Sequence, residues 1–423
     1  MRANENARWR FALALLIVAV LGAACGGDDD SASGDTTGTT ASEDGGGGAA
    51  DVLGPVDEAS GEPVRVGFIT DGANATTDQS IDLDVAAATV KYLNKHKAGI
   101  GGRPIELVTC EAQLDPAKGT DCGNQMVEQQ VVAVVVGTTG VVQPVWTPLH
   151  DAGIPTMFFA GAGADVLADT RSTFSLTDPT ASTVGVPIAA AKANDEDKVT
   201  VVVIDVPPAL AAYEGAGAQQ FEDAGLDLEL VRVPPGTADM TAQLQPVIAG
   251  HPGVIHVLGN DAFCIAAFQA MHSLGFDGPV TSITQCITDA TRQAIPGDQL
   301  EGITVGSAAP VDAGNEMDEL YRTVMETFGS GIDTSRITGH GSFTAMAGFA
   351  SALEGISGEI TPATVTAAIK AMPEQDLPDG GGLTFRCDGR QVPDMPAACV
   401  RGTLVTTLDA EGKPTDYQLG TSE

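Results

Sequence analysis

Nine short apolar runs rich in β-branched residues, at 64–69, 105–109, 131–136, 156–159, 199–204, 228–233, 254–258, 280–283 and 302–305, recur along this chain with amphipathic stretches between them. Runs without polar alternation are strands buried on both faces, and helices between successive strands make those strands parallel. The expected class is therefore α/β, with parallel sheets flanked by helices. One helix is plain from about residue 80 to 97: Asp82 and Asp84 lie in its first turns, Lys91, Lys95 and Lys97 in its last, and Gly99 follows as a stop. Val85, Thr89, Tyr92 and Leu93 share a face of it that can pack on a sheet. Further helices are expected at 123–130, 211–224, 240–249, 262–274, 316–328, 340–353 and 362–371, and 383–417 reads as a hairpin.

The body from residue 64 onward is about 360 residues, more than one hydrophobic core usually accommodates, so two lobes are expected. Ahead of it stands a secretory signal. Arg2, Arg8 and Arg10 form a basic start, residues 11–21 are eleven apolar residues, and Gly22, Ala23 and Ala24 precede Cys25. Eleven are too few for a helical span, which needs about 20. The pattern resembles a bacterial lipobox, with Gly22 where Leu is usual. That implies cleavage of 1–24 and acylation of Cys25, the alternative being ordinary cleavage to a secreted protein. Residues 25–62 are Gly, Ser, Thr, Asp and Ala with almost no large apolar side chain, which suits a flexible tether.

Removing Cys25 from the seven cysteines leaves three sequence-local pairs, Cys110/Cys122, Cys264/Cys286 and Cys387/Cys399. Six cysteines admit 15 pairings; the local one fits an oxidising compartment and crosses nothing. Cys264 and Cys286 are expected near strand ends that face a cleft. No CxxC, HxxxH or HExxH spacing supports a metal, and no cofactor is expected. The formal charge of −35 excludes nucleic acid or an anionic surface as a partner.

Ligands of open parallel sheets bind beyond the carboxyl ends of the strands. The segments there are Thr70-Asp71-Gly72-Ala73-Asn74, Gly137-Thr138-Thr139-Gly140 and Ala160-Gly161-Ala162-Gly163, with Asp205, Tyr213, Asn260, Asp261 and Gln285 from the second half. Small residues let backbone amides approach a ligand, although turns use the same residues for their own geometry.

Val66-Gly67 with the following Thr-Asp-Gly, then Asn94 and the run Gly99-Ile100-Gly101-Gly102-Arg103-Pro104-Ile105-Glu106-Leu107-Val108, then Asp115-Pro116-Ala117-Lys118, resemble the first half of type I periplasmic binding proteins of the branched-chain amino acid (leucine/isoleucine/valine-binding) class. The likeness continues through Val136-Gly137, Ala152-Gly153-Ile154-Pro155 and Tyr213-Glu214-Gly215 and covers about 64–311. It implies a two-lobed fold with three interlobe crossovers, 64–180 and 312–375 forming one lobe and 181–311 and 376–420 the other. It also implies a monomeric, extracytoplasmic solute-binding protein, held at the bacterial cell membrane by its lipid, that passes a small solute to an ABC permease.

Carried over by position, Thr138 and Thr139 match the loop that holds a ligand carboxylate through hydroxyls and amides, while Asp71 is a candidate from its place after the first strand alone. Ala160, Gly161 and Ala162 offer only backbone where a hydroxyl is common, and Tyr213 matches an aromatic of the second lobe. Gln285 stands where an acid often pairs the ligand ammonium, and a neutral amide cannot supply that charge-assisted bond. Asp261 or Asp205 could substitute, so an amino acid, an amide or a small carboxylate all stay open. A lipid-anchored sensor and a secreted hydrolase are the other readings. The hydrolase lacks a GxSxG elbow around Ser342 or Ser357, and GxGxxG is incomplete at Gly161 and Gly215.

Cys25→Ala is expected either to release the protein from the membrane or to block processing of the precursor, read by fractionation and mass spectrometry of the mature amino terminus. A mature start elsewhere with an unmodified Cys25 in wild-type protein would sink the lipobox reading.

Overall fold

The computed structural model describes residues 49–74 and 77–420, so Cys25 and the signal lie outside the described residues. Two sheets carry the architecture. The first holds β1 (Val64–Thr70), β2 (Ile105–Glu111), β3 (Ala133–Val136), β4 (Thr156–Phe158) and β5 (Thr173–Ser175), all parallel, in the order β2-β1-β3-β4-β5. The second holds β6 (Lys198–Ile204), β7 (Asp227–Val233), β8 (Val254–Leu258), β9 (Val280–Ile283) and β10 (Thr304–Ser307). After the short pair β11 (Gln375–Asp376) and β12 (Thr384–Phe385), β13 (Thr403–Thr407) and β14 (Gln418–Gly420) complete the second sheet as antiparallel additions beside β10.

Alternate residues of one strand enter different cores, so both faces are buried. Ala133 and Val135 of β3 pack with Phe68, Phe343 and Phe349, whereas Val134 and Val136 pack with Met126, Trp146 and Leu149. In the second sheet Val199, Val201 and Val203 of β6 meet Phe221, while Val202 meets Phe263 and Phe268. Continuous apolar runs have this meaning in parallel sheets.

Most helices stand where periodicity places them, with Glu316–Phe328 and Pro362–Ala371 matching to the residue. Others differ. The expected 123–130 helix begins at Pro116, capped by Asp115, whose carboxylate accepts from the amides of Ala117 and Lys118 at 2.8 and 3.3 Å. The expected 211–224 helix is broken into Pro207–Leu210, a 3-10 turn Ala211–Tyr213 and Ala216–Asp223, because the chain turns at Gly215 with φ of 53°.

The expected domain boundaries differ from the packing at two places. Residues 49–62 were expected to continue the tether, yet Ala49–Leu53 is a short helix, Leu53 is buried in the first core, and Asp57 and Ala59 donate to the carbonyls of Lys95 and Asn94. Residues 376–400, expected in the second lobe, pack largely with the first core. Leu377, Leu383 and Phe385 are buried there, and the amides of Ser175 and Cys399 bond the carbonyls of Ala397 and Ser175.

The chain passes between the sheets after β5, after β10 and before β13, and buried hydrogen bonds tie these three crossovers together. The Asp178 carboxylate accepts from the Thr180 amide at 3.0 Å and the Gly402 amide at 2.9 Å. The Thr403 hydroxyl donates to the Ser307 carbonyl at 2.7 Å and meets the Ser182 hydroxyl at 2.8 Å.

All three sequence-local disulfides are formed, and each has a structural place rather than one at a binding edge. Cys110 of β2 is bonded to Cys122, which the expected helix start at 123 left outside the helix. Cys122 instead lies within Pro116–Glu128, on the face that packs against the first sheet with Met126, and is buried there. The helix starts early because Asp115 and Pro116 open it, and that extra length brings Cys122 over β2. Cys387–Cys399 pins the segment after β12 to the first core, where both cysteines are buried. Cys264–Cys286 joins the helix Asp261–Ser273 to the turn after β9. Both were expected near strand ends facing the cleft, yet both are fully buried in the second core, because the first turn of that helix packs inward. Replacing both with Ala is expected to lower stability by about 2–5 kcal/mol, seen as a lower denaturant midpoint. An unchanged midpoint would mean that this cross-link contributes nothing.

Candidate functional site

The carboxyl ends of β1, β3 and β4 lie side by side in the first sheet, as do those of β6, β8 and β9 in the second. Three expected site residues are brought together at the first edge. The Asp71 carboxylate, 3% exposed, accepts from the Thr139 hydroxyl at 2.9 Å and the Leu114 amide at 3.2 Å through one oxygen, and from the Gly140 amide at 2.7 Å through the other. The Thr139 hydroxyl accepts in turn from the Val141 amide at 3.1 Å. Thr138 donates its amide to the Asp82 carboxylate at 3.2 Å, and Thr70 donates its hydroxyl to the same oxygen at 2.8 Å.

Asp82 was read from sequence as a helix-terminus charge. It is instead wholly buried, and it braces the loop after β3 from behind. Nothing local in the sequence distinguishes it from Asp84, which is exposed. Its partners lie 12 and 56 residues away. The helix Ile337–Ala352 closes the brace: a Cβ on Gly137 would stand 2.8 Å from the Ser342 hydroxyl and 3.0 Å from the Phe68 ring, so glycine lets the loop pass beneath the helix. Of the donors expected to take a ligand carboxylate, the Thr138 amide and the Thr139 hydroxyl are thus already engaged, by Asp82 and Asp71 respectively.

At the neighbouring loop Ala160 and Ala162 are exposed, while Gly161 is buried and donates its amide to the Ser175 hydroxyl at 2.9 Å. At the second edge Asp205 and Gln285 are exposed, Asp261 is half-buried, and Asn260 caps its helix by accepting from the Phe263 amide. Tyr213 is not presented there. It is 3% exposed, packed with Phe221 in the second core, and its hydroxyl is buried without a partner, so burial pushes its ionisation far up.

A catalytic-looking pair sits nearby and has no nucleophile. His340 and Asp379 are fully buried with 2.6 Å between Nδ1 and the carboxylate; His340 Nε2 is 3.0 Å from the Thr334 carbonyl, and the Tyr321 ring lies 4.2 Å away. The imidazole has both nitrogens occupied, so Ser342 receives no base from it. His150 stacks on Trp146 at 4.2 Å, and His256 is buried against the Thr281 hydroxyl, burial holding it down to about 3. Among the described residues no three His, Cys, Asp or Glu side chains form a metal-binding group. A cavity of ≈ 660 Å³ lies away from both edges, between the last turns of the helices Ile81–His96 and Ile337–Ala352, with Tyr92, His96, Leu353 and Leu377 in its lining.

Burial raises the Asp82 carboxyl from 3.8 to about 6, against the hydrogen bonds from Thr70 and Thr138 that favour its charge. Folding therefore favours the protonated form, and the native state loses stability as pH rises from about 4 through 6, by about 3 kcal/mol for two pH units. Asp82→Asn is expected to be more stable than wild type near neutral pH, with the gain closing near pH 4. Thermal midpoints of both proteins across that range check it, and a gain independent of pH would place the titration elsewhere.

The model of the periplasmic binding protein family matches residues 63–403. A search of curated proteins finds no match. Among solved structures, an extracellular ligand-binding receptor from Verminephrobacter eiseniae is similar with a TM-score of 0.69 and 14% identity, over 84% of this chain and 100% of that one. The branched-chain amino acid transporter substrate-binding protein LivJ from Streptococcus pneumoniae, in complex with isoleucine, gives 0.65 and 15%, over 85% and 100%. A fatty acid ABC transporter substrate-binding protein from Thermomonospora curvata gives 0.61 and 17%, over 87% and 94%. The match runs from the residue before β1 to the first residue of β13, across two mainly parallel sheets joined by three crossovers, and the chain belongs to the periplasmic binding protein family, whose type I members are extracytoplasmic solute-binding proteins and not enzymes.

Proposed function

We propose that this protein is the lipid-anchored solute receptor of an ABC importer, capturing a small polar solute between two lobes that close about the crossovers. The observation that carries the reading is the pair of strand edges. Each sheet ends in short loops of small and polar residues, Asp71 to Gly140 on one side and Asp205, Asp261 and Gln285 on the other, which is where ligands of parallel sheets bind. A solute contacting both edges would shift the balance of open and closed forms by its preference for the closed one. The named ligands of two similar structures, isoleucine and fatty acid, mark the range that this architecture admits. Acids and an amide at the second edge favour a polar solute here. Among the described residues no helix is long and apolar enough to cross a membrane, and attachment would fall to Cys25.

A panel of amino acids, amides, amines and small acids screened by thermal shift is expected to give at least one binder, since a ligand at 100 times its dissociation constant adds about 2.7 kcal/mol to the folded state. The binder should also reduce the radius of gyration in solution scattering. Turnover of any panel member would overturn the receptor reading.

A further inference from the structure

We propose that the cavity between the last turns of the helices Ile81–His96 and Ile337–Ala352 is a second binding site, for an uncharged, mainly apolar molecule that carries a hydroxyl group. None of its lining residues comes from the strand-edge loops, so the site does not depend on the solute of the cleft.

The space has the dimensions of a ligand site. Its ≈ 660 Å³ falls within the roughly 300–1,000 Å³ typical of small-molecule pockets. Ile337–Ala352 faces it with Ala347 and Ala350, whose short side chains leave the gap open, and Leu93, Leu353, Ile356 and Leu377 give the rest of the wall its apolar character. An apolar body is therefore the larger part of what fits.

Polar recognition comes from one tyrosine and one histidine. Tyr92 stands in the wall, 3% exposed, and its hydroxyl makes no hydrogen bond among the described residues; burial alone pushes its ionisation up to about 12. Buried tyrosine hydroxyls ordinarily find a partner. Those of Tyr213 and Tyr321 also lack one, but protein atoms enclose them, whereas Tyr92 borders a space that a ligand can enter. One turn on, His96 is 8% exposed with its ring 5.8 Å from that of Tyr92. Its Nδ1 lies 3.1 Å from the Gly54 carbonyl, which can only accept, so Nδ1 carries the proton and Nε2 of the neutral ring is left as an acceptor. A hydroxyl group matches both, accepting from Tyr92 or donating to His96. A hydrocarbon would leave both unpaired.

The charges around the mouth select against an anion. Asp57, Glu354 and Asp376 are exposed on the lining against Lys97 alone, and both helices end here with the partial negative charge of their carboxyl termini. A carboxylate on the same apolar body would enter this field at a cost that a hydroxyl avoids.

Matched probes differing at one end test this on the mature protein by isothermal titration: 4-butylphenol with 4-butylbenzoate, and 1-octanol with octanoate. At least one of the two hydroxyl probes should bind, and its carboxylate partner should be about tenfold weaker. Hydrogen exchange with the bound probe should slow at 92–98 and 347–356, which line the cavity, and not at the strand-edge loops. Ala350→Leu places a larger side chain in the space and should abolish binding, while Tyr92→Phe keeps the shape and should weaken the hydroxyl probe about fivefold by removing one hydrogen bond. If Ala350→Leu does not fold, Tyr92→Phe and the exchange pattern decide. Absence of binding by both hydroxyl probes at about 1 mM, a carboxylate as tight as its partner, protection at the strand edges instead, or affinity unchanged by either variant overturns the proposal.

Discussion

Two sheets, one wholly and one mainly parallel, buried on both faces, govern what the rest of this molecule can do. Most strands of either sheet have apolar neighbours packed above and below them, so few side chains along the strands reach solvent. Polar chemistry is confined to the strand ends, and parallel strands put all their carboxyl ends on one edge. The order β2-β1-β3-β4-β5 then makes the loops after β1, β3 and β4 immediate neighbours, which lets one aspartate from the first hold the second.

The charged groups at that edge are structural before they are functional. Asp71 stitches the loops after β1, β2 and β3 with short bonds to donors that would otherwise be orphaned near the surface. Asp82 does the same from within, but one of its oxygens is buried without a partner, which is why desolvation outweighs its hydrogen bonds. Buried carboxylates are expensive, and fixing the loop after β3 in one shape is a use that explains keeping two of them. The His340–Asp379 pair follows the same logic farther back, joining the helix Ile337–Ala352 to the segment before β12.

Much of this fold is legible in the sequence because strands buried on both faces write themselves as uninterrupted apolar runs. Nine such runs correspond to β1–β4 and β6–β10 within a few residues. β5 escapes notice because Thr173–Ser175 is three residues long and two of them are polar. The helix Val142–Asp151 is hidden by Pro144 and Pro148, and the start of Pro116–Glu128 by Gly119 and Gly123. A Cβ on Gly123 would collide with the Pro148 ring in the facing helix, so residues that lower helix propensity are there for close packing. Cys122 falls in that hidden stretch, which is why its pairing with Cys110 could be read from spacing while its seat inside a helix could not. The site is less legible for another reason. Thr138 and Thr139 stand at the expected edge, but whether their donors face a ligand depends on Asp82 and Asp71, respectively 56 and 68 residues earlier. Tyr213 likewise matched by position, yet the break at Gly215 turns it into the core.

The crossovers connect these local facts to motion. Asp178, Ser182, Ser307 and Thr403 come from all three crossings and are joined by mostly buried hydrogen bonds, so the crossings are held to one another, and the closure proposed for this receptor would have to turn about all three together. The order of the strands decides which groups such a closure would bring to a solute: the loops after β1, β3 and β4 on one sheet and those after β6, β8 and β9 on the other.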